Sequence, residues 1–181
     1  MANLNDLTGT WTLDPSHSEI GFVARHAMVT KVRGSFTDVA GTADFNSGVN
    51  GGSINVTVQV ASVDTRNADR DAHLRSEDFF DAEKYPIITF ASSEVKALDA
   101  TTLEVTGDLT IKDVPKPVTI EFDYQGVVTD PWGNERAGLE GSVVVNRKDF
   151  GLTWNASLDA GGVLVSEKIT LQFEVSATKN A

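Results

Sequence analysis

Four stretches of this chain alternate apolar and polar residues with a period of two, and that period narrows most what the chain can fold into. In "SINVTVQV", from residue 53, Ile54, Val56, Val58 and Val60 share one face and Asn55, Thr57 and Gln59 the other. "TLEVTGDLTI" sets Leu103, Val105, Leu109 and Ile111 against Glu104, Thr106 and Asp108. "KPVTIEFDY" opposes Val118, Ile120, Phe122 and Tyr124 to Thr119, Glu121 and Asp123; "KITLQFEVSA" opposes Ile169, Leu171, Phe173 and Val175 to Thr170, Gln172 and Glu174. Successive side chains of a strand point to opposite faces, so each stretch predicts a strand with one wet and one buried face. Weaker alternation in "GTWTLD", "SEIGFVARH", "VRGSFTDVAGTADF", "PIITFASSEV" and "ERAGLEGSVVVNR" brings the expectation to about eight or nine strands. Turn-forming "NSGVNGGS", "LDA", "DPWGN" and "DAGG" separate many of them. Short connections between such strands predict an all-β antiparallel barrel or sandwich.

One segment breaks the pattern: "RNADRDAHLRSEDFFDAEKYP", residues 66–86. Thr65 or Asn67 suits a helix N-cap, Asp69 and Asp71 suit a first turn, and Ser76 can cap a second short turn before Tyr85-Pro86 restores extended geometry. A single short broken helix between two strands is expected, over about residues 66–85.

At 181 residues the chain suits one domain, residues 1–181, large enough for a core without disulfides. Lysine and arginine number 15 against 26 aspartates and glutamates, a net charge of −11, which argues on average against nucleic-acid partners and polybasic membrane docking. The absence of cysteine removes thiolate chemistry and cysteine-ligated metals. "MANLNDLTGTWTLDPSHS" has neither a basic n-region nor an apolar h-region, and no apolar run reaches the ~18 residues of a transmembrane helix, so a cytoplasmic chain is expected.

Catalytic and metal chemistry find little support. His17, His26 and His73 are too few and too spread for a metal site, and none is expected. "DFG" at 149–151 lacks the other kinase elements, and Asp64, Asp69 and Asp71 lack calcium-loop spacing. "DPSHSE" crowds Asp14, Ser16, His17 and Glu19 together without an oxyanion-hole motif. No catalytic residue is expected; the alternatives are an enzyme with His26 or His17 as general base at a barrel mouth, or a structural protein whose core is filled by Phe22, Phe36, Phe45, Phe90, Phe122 and Phe173.

Four blocks, "DPSHSEIGFVARHAMVTKVRGSF", "RNADRDAHLRSEDFFDAEKYP", "LTIKDVPKPV" and "NRKDFGLTWN", occur in this order between residues 14 and 155. Together they closely resemble the YceI-like family of lipocalin-like, polyisoprenoid-binding proteins. The resemblance implies an extended eight-stranded antiparallel lipocalin-like barrel, without enzymatic activity or cofactor, whose pore holds a long isoprenoid, an isoprenoid quinone or a similar amphiphile. It also implies a homodimer. Asp113 stands where the family commonly has glycine, so aspartate is expected to supply a left-handed turn residue. The ligand wall is expected from Phe22, in phase with Ile20 and Ala24, from Phe90, in phase with Ile88, and from Phe36, Val56, Val58, Val105 and Phe122. Phe79 and Phe80 are expected to close one end as part of a lid, and His26, Arg25 and the segment from Asp64 to Asp71 to meet a head group at the mouth.

Overall fold

All of the alternating stretches form strands, and the strands join edge to edge into a ring. The computed structural model describes residues 2–159 and 161–181. Its elements are β1 (Gly9–Leu13), β2 (Glu19–His26), β3 (Thr30–Phe36), β4 (Val39–Phe45), β5 (Ser53–Gln59), β6 (Val63–Asp64), α1 (Ala68–Arg75), β7 (Ile87–Ala97), β8 (Thr102–Ile111), β9 (Val114–Thr129), β10 (Glu135–Asn146) and β11 (Lys168–Lys179). The ring runs β1-β4-β5-β7-β8-β9-β10-β11, and β11 pairs back onto β1 through Trp11↔Lys179 and Leu13↔Ala177. Every pairing in it is antiparallel. The three remaining strands extend staves of the ring: β2 continues β1 along β11, β3 precedes β4, and β6 follows β5. The result is a closed, eight-stave, up-and-down barrel of the lipocalin-like kind.

Three adjacent staves break at one level. The breaks are Asp14–Ser18, Thr37–Asp38 and a 3-10 turn at Val60–Ser62. Each sets inward side chains an odd number of positions apart: Leu13 and Ile20, Phe36 and Val39, Val60 and Val63. An unbroken period-two count through 32–45 therefore assigns half of it to the wrong face. At the first break Pro15 removes a ladder donor, and the Asp14 carboxylate accepts from the Ser16 amide at 3.1 Å. Ser18 then repairs the ladder: its hydroxyl donates to the Ser176 carbonyl (3.1 Å) and accepts from the Ser176 amide (2.9 Å).

The two ends close differently. At one, the N-terminal turn inserts Leu4 and Leu7 against Trp11, Phe45, Val95, Leu103 and Tyr124. At the other, Phe79, Phe150 and Leu152 form a second buried cluster with Val60 and Ile88. Here the helix is short and broken, as expected. Asn67 caps it, accepting from the Arg70 amide at 3.0 Å, but it ends at Arg75 and residues 76–86 form turns. Ser76 is the cause: its hydroxyl bonds back to the His73 carbonyl (2.6 Å) and also accepts from the Asp78 amide (3.3 Å), stopping one turn and starting another. No side chain of α1 is buried. The β8–β9 turn places Lys112 and Asp113 at φ of 53° and 60°, so aspartate does supply the left-handed residue.

Arg136 ties the first break to the β9–β10 hairpin, with Nη1 2.7 Å from Asp14 Oδ2 and Nε 2.8 Å from Asp130 Oδ2. This guanidinium, followed by bonds from Ser16 and His17, holds the Asp14 carboxyl far below its ordinary value of 3.8. A folded-state value depressed in this way contributes stability above the unfolded value and loses it as pH falls. Asp14→Asn is therefore expected to lower the urea midpoint at pH 7, and the gap from wild type should narrow as pH drops below 3.8. Urea melts between pH 7 and pH 2.5 test this; a pH-independent gap would assign Asp14 to turn geometry alone.

Candidate ligand cavity

The ring is hollow. A cavity of about 260 Å³ runs from Leu7, Trp11 and Phe45 at the N-terminal end to Phe79, Phe80 and Phe150 at the helical end. Its wall is almost wholly apolar, because each stave turns its alternating apolar face inward. Phe22, Phe36, Phe90, Phe122 and Phe173 all line it, yet remain only half-buried. In a filled core those rings would be fully buried. Of the six phenylalanines expected to fill such a core, only Phe45 is, at 2% exposure, and it belongs to the N-terminal cluster.

The rings leave the lumen open by lying against the wall, over glycines. Phe122 faces Gly141 across β9–β10, and a Cβ there would come within 2.7 Å of the ring. Phe22 covers Gly34 across β2–β3, and Phe90 lies over Gly107, where a Cβ would again meet the ring at 2.7 Å. Gly34, Gly107 and Gly141 occupy inward positions of their strands, and any side chain there would drive a ring into the lumen or push the strands apart.

Nine of the ten expected ligand-binding residues line the cavity: Phe22, Phe36, Val56, Val58, Phe90, Val105 and Phe122 from the staves, and Phe79 and Phe80 from the turns after α1. His26 does not. It shares the inward phase of Phe22 and Ala24, but β2 has run past the barrel by that point; His26 is exposed and bridges Val165. The two closing phenylalanines also differ. Phe79 is 5% exposed and packs edge-on to His73 (5.0 Å) and against Trp154 (5.4 Å). Phe80 lines the lumen, edge-on to Phe36 at 5.8 Å.

Polar groups gather around this end. Thr65, buried, donates from its amide to Asp71 (2.8 Å), and Arg70 donates to the Thr65 hydroxyl (2.8 Å) and carbonyl (2.6 Å). Asp71 and Arg70 thus hold α1 to β6 rather than facing the lumen. Arg147 lines the cavity although no sequence argument selected it. It is 5% exposed, donating to the carbonyls of Ser166 (2.8 Å), Leu152 (2.6 Å) and Val165 (3.3 Å), with its guanidinium 5.9 Å from the Phe79 ring. Burial pushes its pKa down. Its signal was its phase, two beyond inward Val145, which its charge disguised.

Neither histidine weighed as a general base reaches the cavity wall. His17 sits exposed outside the barrel, and a single ring nitrogen, Nδ1, meets both Asp14 Oδ2 (2.8 Å) and Ser16 Oγ (3.0 Å). A catalytic relay needs serine and aspartate on opposite ring nitrogens.

Comparison with known proteins agrees with this architecture. The YceI-like domain matches residues 11–177. YceI of Escherichia coli O157:H7 is 42% identical over 137 residues, covering 75% of this chain and 71% of that protein. A crystal structure of a Campylobacter jejuni YceI protein superposes with a TM-score of 0.73 at 31% identity, covering 87% and 90% of the two chains. A polyisoprenoid binding domain from Saccharophagus degradans has the same fold, with a TM-score of 0.73 at 13% identity over 94% of this chain and 98% of that one.

The contrast between the closing rings gives a test. Phe79→Ala should cost the full core penalty of about 3–5 kcal/mol in urea unfolding. Phe80→Ala should cost well under that and instead speed release of a fluorescent polyprenyl analogue in stopped flow. Equal destabilisation by both, with release unchanged, would make the segment a structural plug. Gly34→Ala, whose Cβ would first meet the Phe22 ring and the Thr65 methyl, should take up less of the same analogue, with its urea midpoint as the folding control.

Proposed function

The chain belongs to the YceI-like family, and we propose that it is a non-enzymatic binding protein that carries or sequesters a long isoprenoid, such as an isoprenoid quinone, or a similar amphiphile. The observation that carries this reading is the hollow lumen itself: an apolar space enclosed by half-buried aromatic rings, with glycines beneath them. Its shape favours a slender ligand. β7 has eleven residues; at ~3.3 Å per residue and a tilt of about 40° the wall is roughly 27 Å tall. The polyisoprenoid binding domain of Saccharophagus degradans supports the reading as an analogy of fold.

Apolar area does not set the affinity. Burying a ~40-carbon tail at roughly 0.8 kcal/mol per methylene would reach on the order of 30 kcal/mol, past the ~18–21 kcal/mol at which affinities saturate. Ordering the tail and the competing comfort of a bilayer must offset most of that gain. Lumen length and the fit of the helical end are then left to select the ligand.

Native mass spectrometry of the protein purified from its own host, followed by organic extraction, tests the reading. One apolar molecule per chain is expected, exchangeable for added quinone. A clean unliganded mass under several growth conditions, with no uptake of quinone, would overturn it.

A further inference from the structure

The net charge of −11 argues against anionic surfaces only as an average, because the charge is not evenly spread. No acidic residue lies between Glu19 and Asp38, whereas Arg25, Lys31 and Arg33 do. All three are exposed, and none forms an ion pair among the described residues. They flank the β2–β3 turn, where Ala27 and Met28 hold φ of 50° and 65°. His26 pairs with Thr30, so the loop has three residues, and positive φ at successive turn positions ordinarily takes Asn or Gly. Here it takes strained apolar residues and presents Met28 at 62% and Val29 at 73% exposure.

The tip is braced, and it leads to the lumen. The Ala27 amide donates to the Leu164 carbonyl (2.7 Å), and Arg25 and Ser166 exchange two bonds, at 2.9 and 3.0 Å. At the root of the same hairpin Phe22 and Phe36 line the cavity, and Phe36 meets Phe80. Along Thr30–Gly34 the outer edge of β3 pairs with no strand among the described residues, since β6 meets only Ser35 and Phe36. The opposite end offers an exposed Trp132 as well, but Asp130 and Glu135 flank it.

We propose that the β2–β3 tip docks on an anionic lipid bilayer. Met28 and Val29 enter the interface, Arg25, Lys31 and Arg33 meet the headgroups, and an apolar ligand passes between bilayer and lumen beside Phe22 and Phe36. The idea rests on the lumen reading for its purpose but not for its test. Each basic residue near an anionic surface strengthens binding about five-fold, so three give on the order of a hundred-fold. Glu19 and Asp38 lie at the hairpin's root, farther from the tip than any of the three cations, so the screened surface field reaches them least. Of the carboxylates on adjoining elements, Glu167 is paired with Lys148 at 2.8 Å and Asp64 lies opposite Ser35 at the root. Asp159, in the loop beside the tip, opposes docking, and its removal should strengthen it.

Flotation of the full chain with vesicles tests this without any lumen ligand. Wild type is expected to float with vesicles of phosphatidylcholine and phosphatidylglycerol, and far less with phosphatidylcholine alone. Replacing Arg25, Lys31 and Arg33 together by Gln should weaken partitioning at least thirty-fold. Met28→Ser with Val29→Ser should also weaken it, and Asp159→Asn should raise it, while Trp132→Ala leaves it unchanged; unfolding midpoints serve as the folding control. Wild type that stays with the soluble fraction, or variants that float as well as wild type, would overturn the proposal. Docking by a chain that extracts no apolar molecule would sink the lumen reading alone; a loaded chain that never floats would sink the docking site alone.

Discussion

A sheet of eight staves has two open edges until Trp11 pairs with Lys179 and Leu13 with Ala177. Closing those edges does two things at once. It satisfies rows of backbone donors and acceptors that would otherwise invite another chain, and it turns one face of the alternating pattern into an interior that needs no second layer. β11 makes the closure possible by serving both halves of the first stave, pairing with β1 near its C-terminal end and with β2 nearer its start. The break between those halves must therefore be held in a fixed shape. Pro15, Ser18 and the Asp14–Arg136 pair hold it, using a hairpin from the far side of the chain as the anchor.

Closure alone does not produce a lumen, because an eight-stranded ring can be filled by its own side chains. What keeps this one open is the placement of inward glycines beside phenylalanines. Each glycine lets a neighbouring ring lie along the wall, as Phe122 does over Gly141, so the chain gains aromatic cover for the backbone without filling the centre. The aromatic surface then faces a void and stays half-buried, which is what a ligand wall requires and a packed core avoids.

Much of this was legible in the sequence. The four clean alternations in β5, β8, β9 and β11 mark their inward faces correctly, because strand phase depends only on local geometry. Where the phase slipped, a local break was responsible: the run from Val32 to Phe45 reads as one strand but reverses its faces at Thr37–Asp38. His26, expected at the mouth rather than on the wall, stands beyond the last wall residue of β2, because phase says which way a side chain points but not whether the barrel still surrounds it. The break in the helical segment was legible at Ser76, whose hydroxyl ends one turn and caps the next. Arg147 escaped notice because a charge at an inward position argues against burial unless the carbonyls that receive it are known, and those come from the segment Leu152–Ser166. Hollow and filled interiors share the same pattern of large inward residues; only the inward glycines, read in phase, distinguish them.

A hollow middle also decides where stability resides. Rings facing a void forfeit part of the dispersion contacts that a close-packed core would supply, so the two end clusters must carry a larger share. They are built for it: Leu4, Leu7 and Phe45 are buried at one end, Phe79, Phe150 and Leu152 at the other. At the helical end the outer helix α1 contributes no fully buried side chain; it is held by half-buried Leu74, by His73 against Phe79, and through Thr65, Asp71 and Arg70. Polar contacts of this kind can be exchanged for water at small net cost, whereas displacing Phe79 cannot. The helical end therefore combines a fully buried inner layer with a half-buried outer one. That outer layer meets the edge of β3 that is unpaired among the described residues, beside Phe80, the less buried of the two rings that the turns after α1 turn to the lumen.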